Sequence, residues 1–386
     1  MKVAGVICEY NPFHKGHEYL LKALRREGFD AVVAVMSGSF TQRGEVAILS
    51  KFYRTELALK GGADLVIELP TPYAAATAER FACGGCEILK ALGCVDAVFF
   101  GSECGDREKI ITAAKATQDE KVLLCLKEYM NDGEYYPSAL KKAVGDIYGN
   151  EIAEIISSPN NTLGVEYAKQ LLTSSMEIRT VKRVGESHDS QKADSFFASA
   201  SFIRNRVKNG ESVSEFLPIR TDFGNPALSN YGERAMLAKL RSMTLGEIEN
   251  LPDVNEGLHH RIYEAIRQES TVEGILARVK TKRYTMARLR RILICAFLGI
   301  TKDIQSLPVS YIRVLGFNSQ GELLLKEAKQ KASLPFVINV AKDMNNLDEM
   351  TKKTLEIDIR ATDLRTVFEK SPTACGQDFT AKIIKA

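Results

Sequence analysis

Two histidines stand three residues apart in His14-Lys15-Gly16-His17, directly after an apolar run and before a helical pattern. A helix N-terminus offers unsatisfied N–H groups and a partial positive charge, so a loop in that place attracts phosphate. Both imidazoles can donate to phosphate oxygens, and Gly16 lets a phosphate or a ribose approach the backbone. Such a pair can stabilise the charge that develops on an α-phosphate as an anionic nucleophile displaces pyrophosphate, with no general base required. Ser199, Ser201 and Arg204, two hydroxyls opening a helix and a guanidinium within one turn, read either as a second phosphate element or as an ordinary helix cap. Asn160 and Asn161 read either as a turn with a cap or as an amide contact to adenosine, and Arg183 as a phosphate partner or a solvated cation. The sequence has neither a Gly-x-x-x-x-Gly-Lys-[Ser/Thr] nor a Gly-x-Gly-x-x-Gly phosphate loop.

A different chemistry is written at 278–291. Seven basic residues, among them Lys280, Lys282, Arg283, Arg288, Arg290 and Arg291, occur there without one acid. A solvated helix face normally mixes both signs, so a one-sign block with an apolar back fits a surface that grips nucleic-acid phosphates. Tyr284 could stack on a base. By contrast, Cys83-Gly84-Gly85-Cys86 falls inside a helical pattern with no second pair at zinc spacing, and it reads as structural. His188 and the pair His259-His260 have no partner cluster and read as structural or surface residues.

The elements that must position these groups alternate. Strands are predicted at 3–8, 31–36, 65–69 and 97–100, with helices at 18–26, from Ser50 to Gly61-Gly62, and at about 77–92. Alternation of this length predicts a Rossmann-like parallel α/β sheet covered on both faces, with ligands beyond the carboxyl ends of its strands. The loops 9–17, 37–44 and 101–105 converge there. Helices follow to 157, then a turn at 159–161, a helix at 163–172, a strand at 178–184 and a helix at 199–208. Beyond about 225 the chain reads as mostly helical, with short strands near 311–315 and 336–340. Gly210, Pro218 and Gly224 mark a soft boundary, dividing the chain into 1–220, which binds and activates, and 221–386, which grips nucleic acid.

The 386 residues suffice for two domains, and 45% hydrophobic with 26% charged residues excludes a disordered chain. No apolar run approaches the ~18 residues of a membrane span. Glu9 interrupts the apolar start, which reads as a strand and not as a signal peptide, and eight cysteines without framework spacing fit a reducing cytoplasm. A net charge of +3 leaves any nucleic-acid site a local patch.

Several blocks together resemble the bacterial tRNA(Met) cytidine acetate ligases, a nucleotidyltransferase-like family with an HxGH motif. They are Glu9-Tyr10-Asn11-Pro12-Phe13-His14-Lys15-Gly16-His17, Met36-Ser37-Gly38-Ser39-Phe40-Thr41-Gln42-Arg43-Gly44 and Ala63-Asp64-Leu65-Val66-Ile67-Glu68-Leu69-Pro70. Phe100-Gly101-Ser102-Glu103, Pro159-Asn160-Asn161, Lys282 to Arg291 and Tyr311-Ile312-Arg313-Val314-Leu315-Gly316-Phe317 continue the likeness over nearly the whole chain. The resemblance implies that acetate attacks the α-phosphate of ATP, with Mg2+ accompanying the nucleotide, to give acetyl-adenylate. The wobble cytidine of elongator tRNA(Met) then takes the acetyl group on N4. It also implies an ATP site along Ile7, Cys8, Glu9, Tyr10, Asn11, Pro12, Phe13, His14, Lys15, Gly16, His17, Glu18, Tyr19 and Leu20, completed by Gly101, one of Asn160 and Asn161, and Arg183. No membrane and no protein partner is implied. Three other readings compete: a nucleotidyltransferase that adenylates a phosphorylated cofactor precursor, an RNA-binding protein with a silent nucleotide site, and a class I aminoacyl-tRNA synthetase. The last lacks a Lys-Met-Ser-Lys-Ser-like loop here.

Overall fold

The computed structural model describes residues 1–183 and 197–386. Eight strands form one sheet: β1 (Val3–Cys8), β2 (Ala31–Ser37), β3 (Leu65–Leu69), β4 (Ala97–Ser102), β5 (Glu177–Lys182), β6 (Ile312–Phe317), β7 (Phe336–Val337) and β8 (Ile384–Lys385). Their order is β5-β4-β1-β2-β3-β6-β7, and β8 pairs with β6. The first five run parallel, as crossover helices require, and β6 joins β3 antiparallel. All seven residues of β2 are buried. Alternate side chains feed two cores: Val33, Val35 and Ile67 pack on one face, Val32, Ala34 and Val66 on the other.

Local signals placed most helices correctly. Ser50 accepts from Tyr53 N–H to cap α2 (Lys51–Lys60), and Thr77 caps Ala78–Ala91. Three boundaries differ from expectation. Helix α1 runs over Lys15–Arg26, so the Lys-Gly-His of the histidine loop is its first turn. Residues 159–161 open the Pro159–Leu171 helix instead of forming a separate turn, because proline is at home in a first turn. The strand expected over 178–184 is Glu177–Lys182; Val184 and His188 lie outside the described residues.

The sheet does not stop at residue 220. Strands β6, β7 and β8 extend it from the second half, and Phe40, Val46 and Ala75 share a core with the Met286–Leu298 helix. A buried ionic cluster ties the halves. Lys51 Nζ, with no exposed surface, donates to both oxygens of Glu68 at 2.8 Å and lies 2.9 Å from Asp378. Arg313 donates to Asp378 at 2.6 Å, and Tyr311 to Asp358 at 2.5 Å. Removing one partner from such a cluster leaves a bare charge in the core, which is what makes it a strong tie.

Candidate active site

The histidine loop is built by its own backbone. His14 caps α1: its Nδ1 accepts from Gly16 N–H at 3.1 Å, while its own N–H donates to His17 Nδ1 at 3.3 Å. This reciprocal box stacks the two rings at 3.7 Å, tilted by 24°. Because each Nδ1 accepts, each neutral ring carries its proton on Nε2. Tyr10, at φ 46°, packs edge-on against Phe13 and His17, at 4.9 and 4.8 Å. A tyrosine in the left-handed region costs free energy and persists here because the surrounding contacts over-determine it.

Arg54, fully buried on α2, holds the neighbouring loops together. It donates to the carbonyls of Leu49 (3.1 Å), Glu9 (2.6 Å), Ser37 (3.0 Å) and Gly38. Burial lowers its pKa to about 10, which still leaves it charged at neutral pH. Asn11 Oδ1 accepts from Ile48 N–H at 2.8 Å, and its buried Nδ2 has no partner among the described residues. Burial pushes the Glu9 carboxyl up, and its Oε1 accepts from Gln42 N–H at 2.8 Å.

A cavity of about 500 Å³ opens beyond the ends of β1, β4 and β5. Ile7, Cys8, Glu9, Tyr10, Asn11 and His14 line it, as do Gly16, His17, Tyr19 and Leu20. Gly101, Asn160, Arg183, Ser199 and Arg204 line it as well. Pro12, Phe13, Lys15 and Glu18 belong to the loop or its helix but not to the wall, and Phe13 is buried beneath it. Ser201 is also off the wall; its Oγ lies 3.0 Å from that of Ser199, which caps the Ala200–Lys208 helix.

The two asparagines separate by geometry. Asn160 faces the cavity, and Arg183 Nη1 donates to its Oδ1 at 3.4 Å. Asn161, 3% exposed, accepts from Glu103 and Cys104 N–H and fixes the turn after β4. Glu103 in return accepts from Asn160 Nδ2 at 2.6 Å and from the backbone of both asparagines; burial raises its pKa, but these hydrogen bonds outweigh that and hold it below the usual carboxylate value. Burial lowers the pKa of Arg183.

The basic segment is not the uniform surface that its sequence suggests. Tyr284 is 6% exposed with Arg288 above its ring, so it offers no face to a base. Arg288 donates to Asp253 O and Asn255 Oδ1, and Arg290 pairs with Glu45 at 3.2 Å. Arg291 is buried, lies 3.4 Å from Asp253 Oδ2 and lines the same cavity as the histidines. Lys280, Lys282 and Arg283 are exposed, Arg283 within 3.2 Å of Glu256. Glu45 also pairs with Arg204 at 2.8 Å, so one carboxylate bridges the two halves at the cavity rim. Arg54, Glu45 and Asp253 were invisible to motif reading, whereas Gln42 and Glu103 fell inside quoted blocks without a role assigned to them. His259 and His260 stack on each other at 4.2 Å, away from this wall.

A mostly parallel sheet with an HxGH loop capping its first helix fits a nucleotidyltransferase, and residues 1–378 match the HIGH Nucleotidyl Transferase family. Within that class the chain belongs to the tRNA(Met) cytidine acetate ligase family. It is 38% identical to the tRNA(Met) cytidine acetate ligase of Clostridium novyi over 96% of both chains, and 38% identical to that of Acetivibrio thermocellus over 100% of both. A crystal structure of apo Thermotoga maritima TmcAL matches with a TM-score of 0.93 at 32% identity, covering 100% of this chain and 99% of that one. The same protein bound with alpha-thio ATP matches at 0.91 and 33%, with the same coverage. Among the described residues no helix is long and apolar enough to cross a membrane.

Proposed function

We propose that this protein is a cytoplasmic, ATP-dependent ligase that forms acetyl-adenylate and acetylates N4 of the wobble cytidine of elongator tRNA(Met). The stacked His14–His17 pair, on a cavity shared with Arg204, Asn160 and Arg183, is the observation that carries the reading. ATP bound to Thermotoga maritima TmcAL as its alpha-thio analogue supports placing the nucleotide here.

An acetate oxygen attacks the α-phosphorus, a new P–O bond forms, and the bond to the β-phosphate breaks to release pyrophosphate. The Nε2–H donors of His14 and His17 stabilise the charge spread over the phosphate oxygens. Ser199 and Arg204 hold the leaving group, and Asn160 and Arg183 hold the nucleoside end. Mg2+ enters as part of the MgATP substrate; the described residues offer no group of three metal-binding side chains. The cytidine amine then adds to the acetyl carbonyl, AMP leaves, and the amine loses a proton. That amine is weakly nucleophilic because its lone pair is delocalised, so positioning matters as much as proton transfer. Lys280, Lys282 and Arg283 precede the helix that reaches the cavity wall, which supports assigning them to the RNA-gripping surface. Residues 1–220 would supply most of the activating site and 221–386 most of the RNA surface.

Acetate-dependent ATP–pyrophosphate exchange without tRNA, and N4-acetylcytidine in tRNA(Met) when it is added, are the expected results. Exchange seen only with a phosphorylated cofactor precursor would replace this reading by the adenylation of that precursor.

A further inference from the structure

Arg291 is a buried cation with less than a full set of partners. It is 9% exposed, and among the described residues its Nε has no hydrogen-bond partner and its one ionic contact is Asp253 Oδ2 at 3.4 Å. Its neighbours are committed elsewhere: Arg288 to Asp253 O and Asn255, Arg290 to Glu45. A buried guanidinium in this state is costly unless an anion repays its desolvation. Arg291 lines the cavity of His14 and His17, and so does Ala287, one helical turn earlier.

The position within the cavity selects the anion. In the strand order β5-β4-β1-β2-β3, Gly101, Asn160 and Arg183 stand on or beyond β4 and β5. Ala287 and Arg291 instead enter beside the loop that follows β2, where Gln42 and Arg43 also line the wall. Their helix presses on that loop: a Cβ on Gly44 would lie 2.5 Å from both Arg290 C and Arg291 N. The nucleoside is thus assigned to one end and Arg291 to the other, with the histidines between.

We infer that Arg291 binds the carboxylate of the acyl donor, and that the second half of the chain thereby supplies a substrate-binding residue to the activating site. The inference rests on the acetate-ligase reading above. A guanidinium fork matches the two oxygens of a carboxylate, and Ala287 leaves an apolar wall for a short acyl group. Neutralising the acid lets it approach an anionic phosphate. One carboxylate oxygen forms the new bond to phosphorus as pyrophosphate departs; the other stays on Arg291 and becomes the carbonyl oxygen of the mixed anhydride. When the cytidine amine adds, that oxygen takes the developing negative charge, so the same contact serves both steps.

The test is an acetate titration of ATP–pyrophosphate exchange at saturating ATP, for the wild-type protein, Arg291→Gln and Arg291→Lys. The glutamine variant should raise KM for acetate by about tenfold or more, the loss expected when a charged bidentate contact goes. KM for ATP should move by less than about threefold, since the ATP contacts assigned above remain. Lysine keeps the stem and charge but not the fork and should fall between. If circular dichroism shows the glutamine variant unfolded, the lysine variant carries the same comparison. An unmoved acetate KM, or equal rises for acetate and ATP, would overturn the assignment. Absence of acetate-dependent exchange in the wild-type protein would instead overturn the ligase reading itself.

Discussion

Gly16→Ala separates the stability of the histidine loop from its chemistry. A Cβ at this position would lie 2.9 Å from His14 Cε1 and 3.1 Å from Nδ1. Non-bonded carbons rest at about 3.5–4.0 Å, so the imidazole must retreat by about 0.6–1 Å. That retreat breaks the bond from Gly16 N–H to Nδ1 and costs about 1 kcal/mol of capping. Alanine in the first turn returns about 0.5–1 kcal/mol by restricting the unfolded chain. The two nearly cancel, and with about 2.1 cal/mol/K per residue of unfolding entropy the Tm should stay within about 1 °C. Activity does not cancel: misplacement of a catalytic group by about 1 Å costs about 10²-fold. Pyrophosphate exchange measured beside a thermal melt should therefore show a normal Tm and a kcat lowered about 10²-fold. A wild-type kcat would refute the argument. So would a rise in KM for ATP alone, which would mean that Gly16 merely makes room for the nucleotide.

Gly44→Ala should do the reverse, because φ is +71° and the obstacles are backbone atoms. About 2–4 kcal/mol should be lost by calorimetry, with a raised acetate KM as Arg291 is pushed away. Arg54→Met removes four carbonyl contacts and should cost about 3–5 kcal/mol in urea unfolding, with exchange lost. Asn161→Ala strands two part-buried N–H groups and should destabilise by about 1–3 kcal/mol, whereas Asn160→Ala, which loses one side-chain bond to Glu103, should raise KM for ATP at a smaller cost in stability. Iodoacetamide at pH 8 should label exposed Cys375 first; burial pushes Cys86 and Cys295 up to about 12, and peptide mass spectrometry should find both unmodified in the folded protein.

What could be read from the sequence was what is local. The first four strands, the cap Ser50, the helix that follows Thr77 and the histidine loop each carry their signal within a few residues. The early start of α1 was missed because its cap is a histidine, which sequence rules do not count among cap residues. Long-range pairing was out of reach. Lys51 meets Asp378 across 327 positions, and Glu45 meets Arg290 across 245. For the same reason the basic block looked like one surface: Glu45, Asp253 and Glu256, which answer three of its arginines, come from distant segments. Strands β6 and β7 were expected near 311–315 and 336–340, but β8 was not, and only the partners show that all three finish the first sheet.

The Lys51–Glu68–Arg313–Asp378 cluster also sets an order in time. A chain leaving the ribosome at about 5–20 residues per second exposes Lys51 and Glu68 some 15–65 s before Asp378 exists. Throughout that interval Lys51 has Glu68 but not its second acid, and from Arg313 onward the two cations share a single carboxylate. The sheet that carries the histidine loop is therefore the last part of the molecule to become electrically complete, although its first strand is among the first residues made. Translation itself acts as a latch, and a chain halted before Asp378 would carry every residue of the histidine loop on a sheet whose central charges are still unanswered.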